Sequence, residues 1–204
     1  MLSPSFTPFP ELSTERLVLT ELTFDHAAGV QVLRSNEDVM KYINRPLTKT
    51  LDEAKQWVAM VADALQRCDG ITWCICLKER PAEHVGTIGI WRIDKENHRG
   101  EIGYMIEPKL QGKGYMYEAL MKVLEYGFGV MRLHSIEAHI DPRNAASAAL
   151  LKKADFILEG YFKENYLLRG EFVDTAVYSL LTPYRDPSAT TITQQISEAV
   201  AETR

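Results

Sequence analysis

Gln111-Gly112-Lys113-Gly114-Tyr115-Met116 combines two glycines, one lysine and the start of an apolar-periodic segment. That combination suits the binding of an anion. The first N–H groups of a helix have no partner inside it, and the macrodipole favours negative charge at that end. Gly112 and Gly114 leave the backbone uncovered, so a diphosphate can approach closely. Lys113 adds a positive point charge. Before the loop, Ile102-Gly103-Tyr104-Met105-Ile106 reads as a strand; after it, Tyr117, Leu120, Met121, Leu124, Phe128 and Met131 recur near the 3.6 period of a helix. Strand, glycine turn and helix in this order predict a phosphorylated cofactor. The dinucleotide fingerprint is incomplete, because Tyr117 stands where its third glycine belongs, and P-loop spacing is absent.

Other reactive side chains are few. Glu101 heads the strand before the loop. The cysteines, Cys68, Cys74 and Cys76, are odd in number; Cys74 and Cys76 share one face of a strand-like run. They give neither a disulfide framework nor a zinc spacing, so buried reduced thiols are expected and no metal. His134 and His139 read as packing or surface residues, and Trp57, Trp73 and Trp91 as core. A net charge of -5 and a pI of about 5.6 argue against nucleic acid or an anionic membrane as the main partner. No apolar run is long enough to span a membrane and no signal pattern opens the chain, so a cytoplasmic protein is expected.

The elements that must position these residues follow from local pattern. Arg16 to Thr20 alternates as a strand, and Phe24 to Ser35 reads as a helix. Leu51 to about Leu65 is a second helix, with Thr50 and Glu53 spaced as a capping box and Gly70 at its end. Ile71 to Leu77 and Val85 to Ile93 form an antiparallel hairpin across a polar turn. Glu101 to Ile106 and Ser135 to Ile140 flank the loop and its helix, and a crossover of that length implies parallel pairing or near approach. Asn144 caps a short helix to about Ala154. Phe156 to Leu168 and Phe172 to Leu181 turn at Arg169-Gly170. The chain thus divides into a leader (1–10), one α/β domain (11–183) with about seven strands and about four helices, and a polar tail (184–204). In the tail, Ile192, Ile196 and Val200 recur every fourth residue, as a docking helix or a frayed end would allow.

Gln111 and Gly114 match the Q/R-x-x-G-x-G/A pyrophosphate loop, with Met116 at its last position. Thr14-Glu15-Arg16-Leu17, Glu101-Ile102-Gly103-Tyr104, Asn144 with Ser147, Phe156 with Glu159-Gly160, and Gly170-Glu171 with Asp174 follow in order. Together they resemble the GNAT acyl-CoA N-acyltransferases, and the RimJ/RimL branch in particular, over roughly residues 10–183. Asp155 stands where that branch has a helix-ending glycine, and Asp tolerates the left-handed backbone required there better than most residues.

The resemblance implies a mixed sheet whose central strands splay around acetyl-CoA. Backbone groups at Tyr104, Met105 and Ile106 would hold the pantetheine arm. Gln111, Gly112, Lys113, Gly114, Tyr115 and Met116 would hold the diphosphate, and Asn144 would touch the cofactor. An amine would attack the thioester directly in a ternary complex, with Glu101 as base and Ser147 as acid, because Leu151 occupies the place of the usual tyrosine acid. A lysine ammonium, with pKa about 10.4, asks more of a base than an α-amine near about 8. The branch implies a peptide N-terminus as acceptor, with small amines or polyamines as the alternative, and a monomer or homodimer. A silent CoA-binding module is the rival from another class.

Overall fold

Alternation and helical period build two helix layers around one sheet. The computed structural model describes residues 1–184. In chain order its elements are β1 (Leu12–Ser13), β2 (Leu17–Glu21), α1 (Ala27–Ser35), α2 (Glu37–Met40), α3 (Leu51–Gln66), β3 (Ile71–Leu77), β4 (Arg80–Asp94), β5 (Arg99–Ile106), α4 (Tyr115–Gly129), β6 (Ser135–Ile140), α5 (Ala145–Lys153), β7 (Ile157–Leu168) and β8 (Glu171–Leu181). The sheet has eight strands in the order β1-β2-β3-β4-β5-β6-β8-β7. Strand β1 and helix α2 exceed the seven strands and four helices expected; both are too short to show a period. Helix α2 is set by Asn36, whose side chain accepts from the N–H groups of Asp38 and Val39.

One face of the sheet buries Leu17, Leu19, Trp73, Ile75, Ile88, Ile90 and Ile136 against Leu120, Val123 and Leu124 of α4 and Leu151 of α5. The other packs Cys74 and Cys76 against Ala27 and Val30 of α1 and Ala54 and Val58 of α3. A Cβ at Gly29 would stand 2.7 Å from the His84 ring, so the missing side chain lets α1 rest close on β4. Leu2 and Phe6, within the expected leader, are buried in the main core. The expected capping box at Thr50 and Glu53 is formed.

Asp155 has φ +62°, the left-handed backbone expected of it. Its N–H bonds the Lys152 carbonyl and that of Phe156 bonds Leu151, the paired bonds of a Schellman end to α5.

The decisive feature lies at the centre. Strands β5 and β6 pair in parallel through only three register partners, Arg99 with Ser135, Gly100 with Ile136 and Glu101 with Glu137. From Ile102 onward β5 has no partner on that side and the strands part. The opening leads to Gly112 and the start of α4. The Ile192, Ile196 and Val200 repeat lies outside the described residues.

Candidate active site

The loop after β5 is shaped by two left-handed glycines, Gly112 at φ +71° and Gly114 at φ +83°, the latter serving as N-cap of α4. Glycine adopts this backbone at no steric cost, and its bare Cα keeps the amides accessible. Among the described residues, no protein acceptor receives the N–H groups of Gly112 through Tyr117; the first bond of the helix is Glu118 N–H to the Gly114 carbonyl. Six successive donors at a helix start are therefore unpaired, as an anion site requires. The Gln111 side chain donates to the Ile106 carbonyl at 3.4 Å, tying the loop to the end of β5. Lys113 is exposed and makes no ion pair among the described residues. Tyr115 and Met116 are half-buried at the first turn of the helix.

Along β5, side chains alternate between the two sheet faces, and the two expected catalytic residues end up on opposite sides. Glu101 shares the α1/α3 face with Trp91, its register partner on β4. It is 8% exposed and accepts from Arg92 Nη1 at 2.7 Å. Arg92 reaches it because β4 is irregular between Trp91 and Asp94, with Arg92 at φ +49°. Such a bulge turns a side chain out of its alternation. Glu137, opposite Glu101 on β6, lies on the same face and meets His139 Nε2 at 3.5 Å. Sequence reasoning passed over Arg92 and Glu137, since neither a bulge nor a parallel register is visible in a single strand's pattern.

On the α4/α5 face, Tyr104 crosses from β5 to α5, and its hydroxyl lies 2.8 Å from Ser147 Oγ. Ser147 is buried, and its N–H donates to Asn144 Oδ1 at 3.1 Å, the expected N-cap bond. Asn144 thus locks the helix turn that presents Ser147. Burial pushes the Tyr104 phenol up to about 12, and the Ser147 hydrogen bond only partly offsets this. Met105 and Ile106 lie on the strand stretch that β6 leaves unpaired. Residues Gln111 to Met116, Tyr104 to Ile106, Asn144 and Ser147 are therefore gathered around one opening, and Glu101 lies at its closed end.

Trp91 corrects the expectation that all three tryptophans are core. Its ring lies on Gly103, where a Cβ would stand 1.9 Å from Cη2, and the residue is 36% exposed. It covers β5 between Glu101 and Met105. Beside the exit of β5, Val32, Leu33, Asn36, Val39, Glu107, Pro108 and Lys109 line a groove of about 310 Å³.

Elsewhere, Cys74 and Cys76 place their sulfurs 3.6 Å apart, and each has a ligand-type atom within 4.8 Å of one on His26. His26 Nδ1 accepts the Thr23 N–H at 3.0 Å, so the neutral ring carries its proton on Nε2. The cluster thus presents a hydrogen-bonded ring beside thiols, and the bond to Cys76, followed by burial, pushes the Cys74 thiol up.

Comparison with known proteins agrees with this geometry. Residues 16–157 match the family model described as the acetyltransferase (GNAT) domain. An uncharacterised N-acetyltransferase of Bacillus licheniformis is 34% identical over 170 residues, covering 83% of this chain and 95% of that protein. The ribosomal protein uS5-alanine N-acetyltransferase of Escherichia coli is 38% identical over 86 residues, 42% of this chain and 44% of that one. A spermidine N(1)-acetyltransferase of Vibrio cholerae is 23% identical over 180 residues, 87% of this chain and 98% of its own. The crystal structure of a GNAT-family acetyltransferase from Bacillus anthracis superposes with a TM-score of 0.75 at 31% identity, covering 84% of this chain and 98% of that one. The open parallel pair, the unpaired loop amides and these relatives converge: the chain belongs to the GNAT acetyltransferases and is an acetyl-CoA-dependent N-acetyltransferase.

Proposed function

We propose that acetyl-CoA lies with its diphosphate on the amides of Gly112 to Tyr117 and its arm along the unpaired edge of Ile102 to Ile106. An amine then enters from the face that carries Glu101 and Trp91. The observation that carries this reading is the run of six unpaired N–H groups at the end of a parallel pair that opens after three partners.

In the reaction the amine nitrogen attacks the thioester carbonyl carbon. Glu101 accepts the ammonium proton beforehand, directly or through one water. A backbone N–H of β5 faces the developing oxyanion. The intermediate collapses, the C–S bond breaks and the amide forms. One of the Tyr104 and Ser147 hydroxyls donates to the other, and the remaining hydroxyl proton is donated to the departing sulfur. Full proton transfer from Tyr104 is uphill, because its phenol is pushed up to about 12 while a thiol titrates near about 8.5. That gap corresponds to about 5 kcal/mol. The pair stabilises the thiolate, and the thiol proton comes finally from the amine nitrogen by way of solvent.

The acceptor we assign is a peptide N-terminal α-amine. An α-amine with pKa about 8 needs only about 1 kcal/mol of deprotonation at neutral pH, within reach of a carboxylate acting through water. The relative that acetylates the alanine of ribosomal protein uS5 supports this choice. The paired Glu101 and Glu137 carboxylates on one face favour a second reading, a polyamine, which the spermidine-acetylating relative also supports. Incubation with acetyl-CoA and a panel of N-terminal peptides and polyamines, read by mass spectrometry, decides between them. Acetylated peptide α-amines are expected; acetylation confined to polyamines overturns the peptide assignment.

A further inference from the structure

We infer that Arg16, in the bend immediately before β2, is a phosphate ligand of the diphosphate loop, and that Glu118 serves to aim it. The inference rests on the proposed placement of acetyl-CoA. Glu118 sits in the first turn of α4, where an incoming diphosphate must put its charge. An uncompensated carboxylate there would repel the ligand. It is instead fully engaged from the segment before β2. Thr14 Oγ1, the Arg16 N–H and Arg16 Nε all donate to it, the last two at 2.8 and 2.6 Å. Burial opposes ionisation of Glu118, but these three bonds outweigh it and lower its pKa.

The rest of the guanidinium points at the loop. Nη1 donates to the Lys113 carbonyl at 3.1 Å. The carbon Cζ sits 4.2 Å from the centre of the Tyr115 ring, which holds the planar group from below. Nη2 has no protein acceptor among the described residues, and it is the atom nearest to where a Cβ on Gly114 would stand, at 3.4 Å. Its free N–H groups therefore lie beside the bare Cα that the diphosphate must approach. Nε is spent on Glu118 and Nη1 on the Lys113 carbonyl, and Nη2 is left for a phosphate oxygen, a division that a lysine cannot reproduce. A clamp needed only to hold the loop would not require an unpaired Nη2 at Gly114.

Titration calorimetry with CoA and with acetyl-pantetheine, which lacks the diphosphate, tests the role. Arg16→Gln is expected to weaken CoA by at least about tenfold, the loss of a charge-assisted phosphate contact. Acetyl-pantetheine should bind parent and variant alike. Arg16→Gln combined with Glu118→Gln should recover part of the CoA affinity, because the repelling carboxylate is gone. An Arg16→Gln protein that binds CoA within twofold of the parent, or that loses both ligands equally, overturns the inference. Should that variant fail to fold, Arg16→Lys carries the same comparison, with an intermediate loss expected and an unchanged CoA affinity overturning it. Gly114→Glu separates the inference from its premise. Loss of CoA in Gly114→Glu with retention in Arg16→Gln removes only the role of Arg16. Retention in both removes the proposed cofactor placement as well.

Discussion

In the proposed reaction Tyr104 and Glu101 act from the two faces of one strand, the first as a hydrogen-bonding phenol that keeps its proton and the second as the base, and each makes its own kinetic prediction. Because burial pushes the Tyr104 phenol up to about 12, it stays protonated through the range where free tyrosine ionises. The alkaline limb of kcat should therefore show no fall near pH 10 attributable to this group. Tyr104→Phe, which leaves Ser147 without its 2.8 Å partner, should lower kcat about tenfold, the scale of a lost hydrogen bond to charge, with KM for acetyl-CoA nearly unchanged. Glu101→Gln keeps shape and the bond to Arg92 but loses basicity. A fall in kcat of at least about 100-fold is expected, with CoA affinity kept, as measured by steady-state kinetics and calorimetry. A variant with parental kcat would place the base elsewhere.

At the scale of elements, close approach and helix ends set the outcome. Gly103→Ala puts a methyl group into the Trp91 ring, which must leave the strand. Loss of activity should accompany a change in tryptophan fluorescence, while α4 and the loop keep their affinity for CoA. Asp155→Gly removes the cost of a left-handed non-glycine residue and should raise stability by up to about 1 kcal/mol in urea unfolding. Much of this architecture was legible beforehand. The β5–loop–α4 unit was readable because glycine spacing and helical period are local signals, and the capping box at Thr50 and the turn at Asp155 are local as well. What escaped notice depends on distant partners. Trp91 alternates like any buried strand residue, and only Gly103 on the next strand shows that its ring lies open. Arg16 and Glu118 are 102 residues apart, so neither predicts the other. Leu2 and Phe6 sit among prolines with no period to mark them, and β4 begins at Arg80 rather than Val85 because its first residues are polar and pair only through the hairpin.

For the molecule as a whole, His84 sets a pH dependence of stability. It is 8% exposed, and burial first, then His26, lowers its pKa to about 4 from an ordinary 6.5. Between those values the unfolded chain binds the proton and the folded chain does not, so stability falls as pH falls. The loss approaches about 3 kcal/mol from pH 7 to pH 4. Urea unfolding of His84→Gln at pH 7 and pH 5 should show a weaker decline between the two than the parent shows; an identical decline would assign it to other groups.

The shortness of the β5–β6 ladder has a mechanical consequence. Three rungs are all that join one half of the sheet to the other along that seam. A slender molecule laid into the cleft would supply the missing crosspieces, stitching the halves together. In the proposed placement coenzyme A is then mortar as well as reagent. The empty enzyme should breathe at this seam, with amides of Ile102 to Ile106 exchanging quickly for deuterium until the cofactor seals them.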